Sequence, residues 1–309
     1  MTFPHRHLLD LHALSPKDIQ AIFSLARTFQ ADPAVAQNRL QGKTLLNLFC
    51  EPSTRTRISF EMAIKRLGGS VINMSVDTSS FKKGETLFDT IKNLESLGVD
   101  GLIIRHANGG APHFVAQHVG VPVINAGDGF HEHPTQGLLD AYSLLKHFKT
   151  ETLDGKSVLI WGDIAHSRVA RSNIWALQKM GATVSVGGPL TLMPSHIETL
   201  GVEVVIDLDS AIGRFDAINV LRMQYERQAL GAVPSATEYR TFFGLTAGRL
   251  QKAKPEVVIL HPGPINRGIE LDSGVADGPQ NIILDQVENG VWIRAAVLSS
   301  LFGKENAHV

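Results

Sequence analysis

The sequence predicts an α/β protein made of two doubly wound domains with mostly parallel sheets. Short apolar runs alternate with amphipathic helical segments along the chain, and this alternation restarts after Leu153. At 309 residues the chain is long enough for two domains, each with its own core. Repeated βαβ units imply right-handed crossovers, so the strands of each sheet should run in parallel.

Composition narrows the class of protein. A formal net charge of −1 gives no overall basic face, which argues against a nucleic-acid-binding protein. No apolar run approaches the ~20 residues that a membrane span needs, and residues 1–14 match neither a secretory signal nor a transit peptide. The single cysteine, Cys50, excludes an intramolecular disulfide and a cysteine-cluster metal site. We therefore expect a cytoplasmic enzyme or binding protein.

The first half of the chain alternates strands and helices in a regular order. A helix begins at Ser15-Pro16, because apolar residues follow at helical spacing. The segments predicted after it are strand 44–49, helix 58–67, strand 71–74, helix 87–97, strand 101–105, a helix from Pro112, strand 121–126 and a helix opened by residues 131–136.

The second half repeats this pattern. The predicted strands are 157–161, 183–186, 202–206, 217–220 and 257–260, and the predicted helices are 167–180, 194–200 and 286–302. We expect a first domain of residues 1–132 and a second of residues 133–285, with 133–148 as an interdomain helix. The C-terminal helix, in residues 286–309, should return to pack on the first domain.

The stretch Glu51-Pro52-Ser53-Thr54-Arg55-Thr56-Arg57 lies between a predicted strand and a predicted helix. The hydroxyls of Ser53, Thr54 and Thr56 can cap that helix, whose first N–H groups carry the positive end of the helix dipole. Arginines in this turn, where acids are usual, indicate a bound anion such as phosphate. An ordinary capped helix with two solvated arginines is the alternative.

Other polar residues of the first half stand where ligands bind in open α/β sheets. The loop 77–86 is longer than a simple connection needs, and its lysines and serines either close over a ligand or remain solvated. Arg105 ends a buried strand. His133 or Gln136 could donate to a substrate carbonyl. The pair His131 and His133 lacks the i, i+4 spacing of a helical metal motif, so we expect no metal here.

Arginines also follow strands in the second half. Arg168 and Arg171 come after one strand, and Arg222 with Gln224 after another. Singly each could be a surface residue, but their recurrence favours a role in binding. The loop 261–268 is stiffened by prolines, which leave backbone carbonyls exposed, so it could present them to an amide or act only as a rigid turn. The chain lacks a P-loop and a dinucleotide fingerprint, so no cofactor is expected.

Four motifs in a fixed order carry a resemblance over essentially the whole chain. They are Ser53-Thr54-Arg55-Thr56-Arg57, Lys82-Lys83-Gly84-Glu85-Thr86, His133-Pro134-Thr135-Gln136 and His261-Pro262-Gly263-Pro264. The chain resembles the catalytic chains of the aspartate carbamoyltransferase family. The first motif is shared by carbamoyltransferases in general, whereas the ornithine enzymes have a late His-Cys-Leu-Pro loop that is absent here. Arg222-x-Gln224 also resembles the aspartate pattern.

The resemblance implies transfer of a carbamoyl group from carbamoyl phosphate to the amine of L-aspartate, for pyrimidine synthesis, without metal or cofactor. In the first half, the resemblance implies that phosphate is bound by Ser53, Thr54, Arg55 and Thr56, and that Arg105 bridges phosphate and carbonyl. It also implies that His133 and Thr56 polarise the carbonyl, and that Gln136 binds the carbamoyl NH2. The second-half roles are further binding of that NH2 by carbonyls near Gly263 and Pro264, and binding of the aspartate carboxylates by Arg168, Arg222 and Gln224.

The resemblance also implies partners. Ser79 and Lys83 match loop residues that enter a neighbouring subunit's active site, which predicts a homotrimer with shared sites. An inactive dihydroorotase-like chain or a regulatory chain is a further expected partner. Gly263 departs from the family, where many members have leucine, so the wall of the pocket should differ there. Two alternatives stay open: an ornithine-type acceptor, and a non-catalytic sensor of a phosphorylated metabolite.

Overall fold

The computed structural model describes residues 3–75, 85–224 and 235–303. The chain divides into two compact units: unit 1 is Met1–Leu138 with Glu288–Val309, and unit 2 is Leu139–Val287. The predicted domain boundaries at 132/133 and 285/286 stay predictions, because a compact unit is not by itself an independently folding domain.

Unit 1 is built on a parallel sheet of four strands in the order β2-β1-β3-β4. The strands are β1 (Thr44–Phe49), β2 (Ser70–Ser75), β3 (Gly101–His106) and β4 (Val123–Asp128). The helices that precede or connect them are α1 (Pro16–Ala31), α2 (Thr54–Arg66), α3 (Leu87–Ser96) and α4 (Ala111–His118). The central strands read as nearly continuous apolar runs, as expected for strands covered on both faces.

Polar contacts fix both the start of α1 and the starts of the two central strands, β1 and β3. Ser15 and Asp18 form a capping box, which explains why α1 begins at Pro16. The carboxylate of Asp100, just before β3, accepts hydrogen bonds from the backbone N–H of Thr44 at 2.8 Å and from Lys43 Nζ at 2.9 Å. Asp100 therefore joins the starts of the two central strands.

The C-terminal helix, α11 (Ile283–Phe302), packs on α2 within unit 1. Arg294 donates to Ser59 Oγ at 2.8 Å, and its guanidinium lies 5.2 Å from the centre of the Phe60 ring. From the other side, the guanidinium of Arg66 lies 4.2 Å from the centre of the Trp292 ring. The prediction that this helix packs back on the first part of the chain is confirmed.

Unit 2 is built on a parallel sheet of five strands in the order β7-β6-β5-β8-β9. The strands are β5 (Ser157–Trp161), β6 (Thr183–Gly187), β7 (Glu203–Val205), β8 (Ala217–Val220) and β9 (Val258–Leu260). The α-helices that lie wholly or mostly within this unit are α5 (Pro134–Phe148, which begins in unit 1), α6 (Arg168–Lys179), α7 (Leu208–Ala211), α8 (Ala236–Phe243), α9 (Ala247–Leu250) and α10 (Ser273–Ala276).

Unit 2 also has an aspartate that joins the starts of two strands, as Asp100 does in unit 1. Asp216, just before β8, accepts from the backbone N–H of Ser157 at 2.8 Å and from Lys254 Nζ at 2.7 Å. The same device therefore joins the starts of the two central strands, β5 and β8.

The predicted α/β class with two parallel sheets is confirmed, and one predicted helix is wrong. Residues 194–200 form no α-helix; two short 3-10 turns, Leu190–Leu192 and Ile197–Leu200, occupy this region. His196 lies between them with φ of 61°, a left-handed conformation that an α-helix cannot contain. Among the described residues, no helix is long and apolar enough to cross a membrane.

Candidate active site

The first motif and Arg105 lie at the carboxyl ends of β1 and β3, where the strand order of unit 1 reverses. From β1 the chain moves to β2 on one side, and later to β3 and β4 on the other, so β1 and β3 flank the switch point. Phe49, the last residue of β1, pairs with Arg105 at the end of β3. Ligands of open α/β sheets bind at the carboxyl ends of the strands at such a point.

The motif after β1 forms the first turn of α2. Ser53 is the N-cap residue, Thr54 and Arg55 are exposed, and Thr56 is buried. The expectation that the hydroxyls cap the helix is wrong for Ser53, whose side chain accepts no capping hydrogen bond from the described first turn. The first N–H groups of this helix carry the positive end of its dipole, and Arg55 lies in the same turn, which is an arrangement suited to an anion.

Arg105 is held by a carboxylate that the sequence reading did not single out. Its Nε lies 3.2 Å from Glu51 Oε2, and its terminal nitrogen donates to the carbonyl of Ala126 at 3.3 Å. Glu51 opens the motif that contains Arg55. One turn therefore carries both the candidate anion ligand Arg55 and the carboxylate partner of Arg105. The sequence signal for Glu51 is its place at the start of that motif.

His133 and Gln136 stand at the start of α5, within unit 1. The carbonyl of His133 accepts from the backbone N–H groups of Gln136 at 2.9 Å and Gly137 at 3.2 Å, which begins the helix. Both residues are more than nine-tenths buried, with 4% of His133 and 8% of Gln136 exposed. Burial shields any hydrogen bond that they make to a substrate from competing water.

In unit 2, three candidate ligands also flank the point where the strand order reverses, between β5 and β8. Arg168 is the first residue of α6, after β5, and is 5% exposed. Arg222 and Gln224 follow β8 and are half-buried, and Gln224 Nε2 donates to the carbonyl of His166 at 3.3 Å. The structure therefore brings the loops after β5 and β8 together.

Gly162 allows the two loops to approach this closely. Its φ is 134°, and a Cβ at this position would lie 3.1 Å from the Leu221 side chain and 3.2 Å from the Leu221 carbonyl. A side chain here would push apart the segments that carry the three polar candidates of unit 2.

The proline-rich loop after β9 is fixed by a buried histidine. His261 Nδ1 accepts from the backbone N–H of Gly263 at 2.8 Å, so the ring proton lies on Nε2, which is 3.2 Å from Glu270 Oε1. Asn266 Nδ2 donates to the carbonyl of Met223, which ties this loop to the segment between Arg222 and Gln224. Gly263 has a φ of 64°, so glycine suits this turn.

A buried carboxylate connects these elements of unit 2. Asp140 on α5 accepts from Asn173 Nδ2 at 2.8 Å, Asn219 Nδ2 at 3.2 Å and Gln286 Nε2 at 2.6 Å. Gln286 in turn accepts from the backbone N–H of His261 at 3.0 Å. Asp140 thus contacts α6 and β8 directly and the end of β9 through Gln286, and each of these elements leads into or carries a candidate ligand.

Two predicted site residues, Ser79 and Lys83, lie outside the described residues. The other predicted site residues divide between the two units. Unit 1 contains Ser53, Thr54, Arg55, Thr56, Arg105, His133 and Gln136, and unit 2 contains Arg168, Arg222, Gln224, Gly263 and Pro264.

Sequence profiles place both halves of the chain. The profile described as "Aspartate/ornithine carbamoyltransferase, carbamoyl-P binding domain" matches residues 6–146, and "Aspartate/ornithine carbamoyltransferase, Asp/Orn binding domain" matches residues 154–301. The chain belongs to the aspartate/ornithine carbamoyltransferase family. The family assignment agrees with the resemblance carried by the four motifs.

Relatives within this family favour its aspartate branch. The aspartate carbamoyltransferase catalytic subunit of Acidiphilium cryptum is 51% identical over 312 aligned residues, covering 100% of both chains. That of Syntrophotalea carbinolica is 48% identical, covering 99% of this chain and 98% of its own.

Solved structures share the fold without separating the branches. Aspartate transcarbamoylase from Trypanosoma cruzi, in complex with carbamoyl phosphate, has a TM-score of 0.85 and 31% identity, covering 97% of this chain and 98% of its own. Ornithine carbamoyltransferase from Pyrococcus furiosus has a TM-score of 0.88 and 29% identity, covering 98% and 99%. Overall shape therefore does not distinguish an aspartate acceptor from an ornithine acceptor.

Proposed function

We propose that this chain transfers the carbamoyl group of carbamoyl phosphate to the amine of L-aspartate, giving N-carbamoyl-L-aspartate and phosphate for pyrimidine biosynthesis. The observation that carries the proposal is about 50% identity over the full length to catalytic subunits named for this activity. The site chemistry supports it, because each unit offers donors suited to anionic groups at its strand-order switch point.

The phosphate is bound in unit 1. The first turn of α2 supplies backbone N–H groups, the hydroxyls of Ser53, Thr54 and Thr56, and the guanidinium of Arg55. Arg105 bridges phosphate and carbonyl oxygen, and the carboxylate of Glu51 at 3.2 Å orients its guanidinium. A fixed guanidinium stabilises negative charge without reorganising when the charge develops.

The chemical step is a substitution at the carbonyl carbon. The neutral amine of aspartate attacks, the new N–C bond forms, the C–O bond to phosphate breaks, and the departing phosphate accepts the amine proton. His133, Thr56 and Arg105 stabilise the charge on the carbonyl oxygen, while Gln136 accepts from the carbamoyl NH2. In unit 2, the carbonyls of Gly263 and Pro264 are proposed as further acceptors for that amide.

The two aspartate carboxylates are bound by unit 2. Arg168 and Arg222 offer forked guanidinium groups, whose geometry matches a carboxylate, and Gln224 adds an amide donor. Ornithine carries an amine where aspartate has its second carboxylate, so this set of donors would repel it.

A direct assay tests the proposal. Purified protein is supplied with carbamoyl phosphate and either aspartate or ornithine, and both carbamoylated products are quantified. We expect product with aspartate alone. Product from ornithine alone would assign the chain to the ornithine-type alternative. Binding of carbamoyl phosphate without turnover of either acceptor would favour the sensor.

A homotrimer with shared active sites is part of the proposal. Ser79 and Lys83 match loop residues that family members place in a neighbouring subunit's site. Mixing Arg55→Ala chains with Lys83→Ala chains should restore part of the activity, because some hybrid sites contain neither change. Two inactive parents that exchange subunits without recovering activity would contradict shared sites.

The proposal also extends to partners and location. We propose an inactive dihydroorotase-like chain or a regulatory chain as a binding partner, and a cytoplasmic location. Native mass measurement with and without cell extract tests the first of these, since a stable partner would add its mass to that of the trimer.

A further inference from the structure

A cluster of potential metal ligands lies in unit 1, apart from the residues assigned to the substrates. One ligand atom each from His113, Asp128 and His131 lie within 4.8 Å of one another. His113 is on α4, Asp128 ends β4, and His131 is in the turn before α5. The fold thus brings together His113 and His131, a pair that the spacing of His131 and His133 in the sequence does not indicate.

The distance between two of the three ligand groups matches that in a coordination sphere. His131 Nδ1 lies 3.1 Å from Asp128 Oδ2 and 3.3 Å from Oδ1. Two ligand atoms ~2.0–2.1 Å from a tetrahedral zinc ion are separated by ~3.3 Å, so an ion fits between these atoms with little movement. The ring centres of His113 and His131 are 5.4 Å apart with planes inclined at 69°, which also brings the two imidazoles within reach of one ion.

The central carboxylate is already oriented by neutral donors. Asp128 is fully buried and accepts from the backbone N–H of Gly110 at 2.7 Å, Asn125 Nδ2 at 2.8 Å and the backbone N–H of Glu132 at 3.1 Å. These bonds fix its oxygens without neutralising its charge. A buried charge of this kind favours a cation beside it.

One histidine has the outer partner that metal-bound imidazoles use. His113 Nε2 lies 3.1 Å from Asp10 Oδ2. Donation of the Nε2 proton to this carboxylate leaves the imidazole lone pair on Nδ1 for an ion. Asp10 is thus suited to a supporting role outside the three ligands.

The local electrostatics are negative. The carboxylates of Asp128, Glu132 and Asp10 all act electrostatically on His131. Three carboxylates around two imidazoles form a field that draws cations.

We propose that His113, Asp128 and His131 bind one divalent transition-metal ion, with Zn²⁺ as the best fit to this nitrogen and oxygen set. Both histidine side chains are about one third exposed, at 37% and 36%, which leaves a side open for entry of the ion and for water as a remaining ligand. The ion would join α4 to the end of β4 and so stabilise unit 1. The inference does not depend on the proposed reaction.

Metal binding is tested on the untagged full-length chain after chelator treatment. Zn²⁺ is titrated by calorimetry, and Co²⁺ is titrated by visible absorption, which reports the coordination geometry. We expect one ion per chain for the wild type. His113→Ala and His131→Asn should each weaken binding at least ~100-fold, and Asp10→Asn ~10–100-fold, the range for loss of an outer partner.

His118→Ala is the matched control, because His118 is on the same helix but its Nδ1 contacts the Phe114 carbonyl instead of the cluster. It should bind Zn²⁺ as the wild type does. Circular dichroism and thermal unfolding of each variant verify folding, and His131→Asn with Asp10→Asn still tests the site if His113→Ala misfolds. Absence of saturable binding by the wild type, or unchanged binding by both histidine variants, would overturn the proposal.

Discussion

The two units share a plan but differ in how they present their arginines. Each has a parallel sheet whose two central strands are joined by an aspartate, Asp100 in unit 1 and Asp216 in unit 2. Each places arginines where the strand order reverses. In unit 1, Arg55 is exposed on the first turn of α2, whereas in unit 2 Arg168 is 5% exposed at the first turn of α6.

This difference corresponds to the two kinds of anion proposed as ligands. A phosphate can be met by the N–H groups and dipole of a helix start, which the backbone fixes without further support. Two carboxylates on a small flexible molecule need side chains held at set positions. Unit 2 supplies that support through the amides around Asp140 and the His261–Glu270 pair.

The largest expected effect comes from removing the phosphate arginine. Arg55→Ala should lower kcat/KM by about a hundredfold or more, equivalent to ~3 kcal/mol of barrier, because a charged donor to the transition state is lost. Arg57→Ala is the control: its charge acts on Glu61, one turn further along α2, so steady-state kinetics should change only a few-fold. Equal losses in both variants would contradict a specific role for Arg55.

A smaller and more selective effect is expected in unit 2. Arg222→Lys keeps the charge but loses the forked geometry, so KM for aspartate should rise ~30-fold, or ~2 kcal/mol, while KM for carbamoyl phosphate changes little. Arg171→Lys, at an exposed position of α6, should leave both constants unchanged. A rise in both constants for Arg222→Lys would mean that the two units do not divide the substrates as proposed.

The scaffold beneath these ligands gives the next prediction. Asp140→Asn replaces an acceptor of three amide N–H groups by a neutral amide, so we expect KM for aspartate to rise ~10-fold and the free energy of unfolding to fall by ~2 kcal/mol. Asp154→Asn, which alters an exposed carboxylate bonded to Thr152, is the matched control. A stability loss with unchanged aspartate KM would reduce Asp140 to a structural role.

The strands and most helices were predictable because apolar runs and helical spacing are local properties of the sequence. The strand-end positions of Arg105, Arg168 and Arg222 followed from the same patterns. The wrong helix at 194–200 shows the limit, since the left-handed backbone at His196 leaves no periodic signal.

Contacts between distant residues could not be predicted in this way. Gln286 and Asp140 are 146 positions apart, and the partnership of Glu51 with Arg105 depends on the pairing of β1 with β3. His113 meets His131 only because α4 lies beside the end of β4. Such pairs depend on which strands and helices lie side by side. Sequence periodicity predicts the fold class, but it does not predict these neighbours.

The smallest expected effect concerns Asp216 and Asp100, the two aspartates that join the starts of the central strands in unit 2 and unit 1. Burial raises the pKa of Asp216, but hydrogen bonds from Lys254 and the Ser157 N–H outweigh it and hold the pKa below the ordinary value of 3.8. A depressed pKa means stabilisation that is present above the unfolded-state pKa and is lost as pH falls through the folded-state pKa. Asp216→Asn should therefore cost ~1–2 kcal/mol of unfolding free energy at pH 7, and urea unfolding should show this difference shrinking below pH ~4.

Asp100→Asn should cost less at pH 7, because the Asp100 side chain is 27% exposed against 15% for Asp216 and water can replace more of its bonds. A cost for Asp216→Asn that stays constant with pH would show that its size and packing matter, and not its charge.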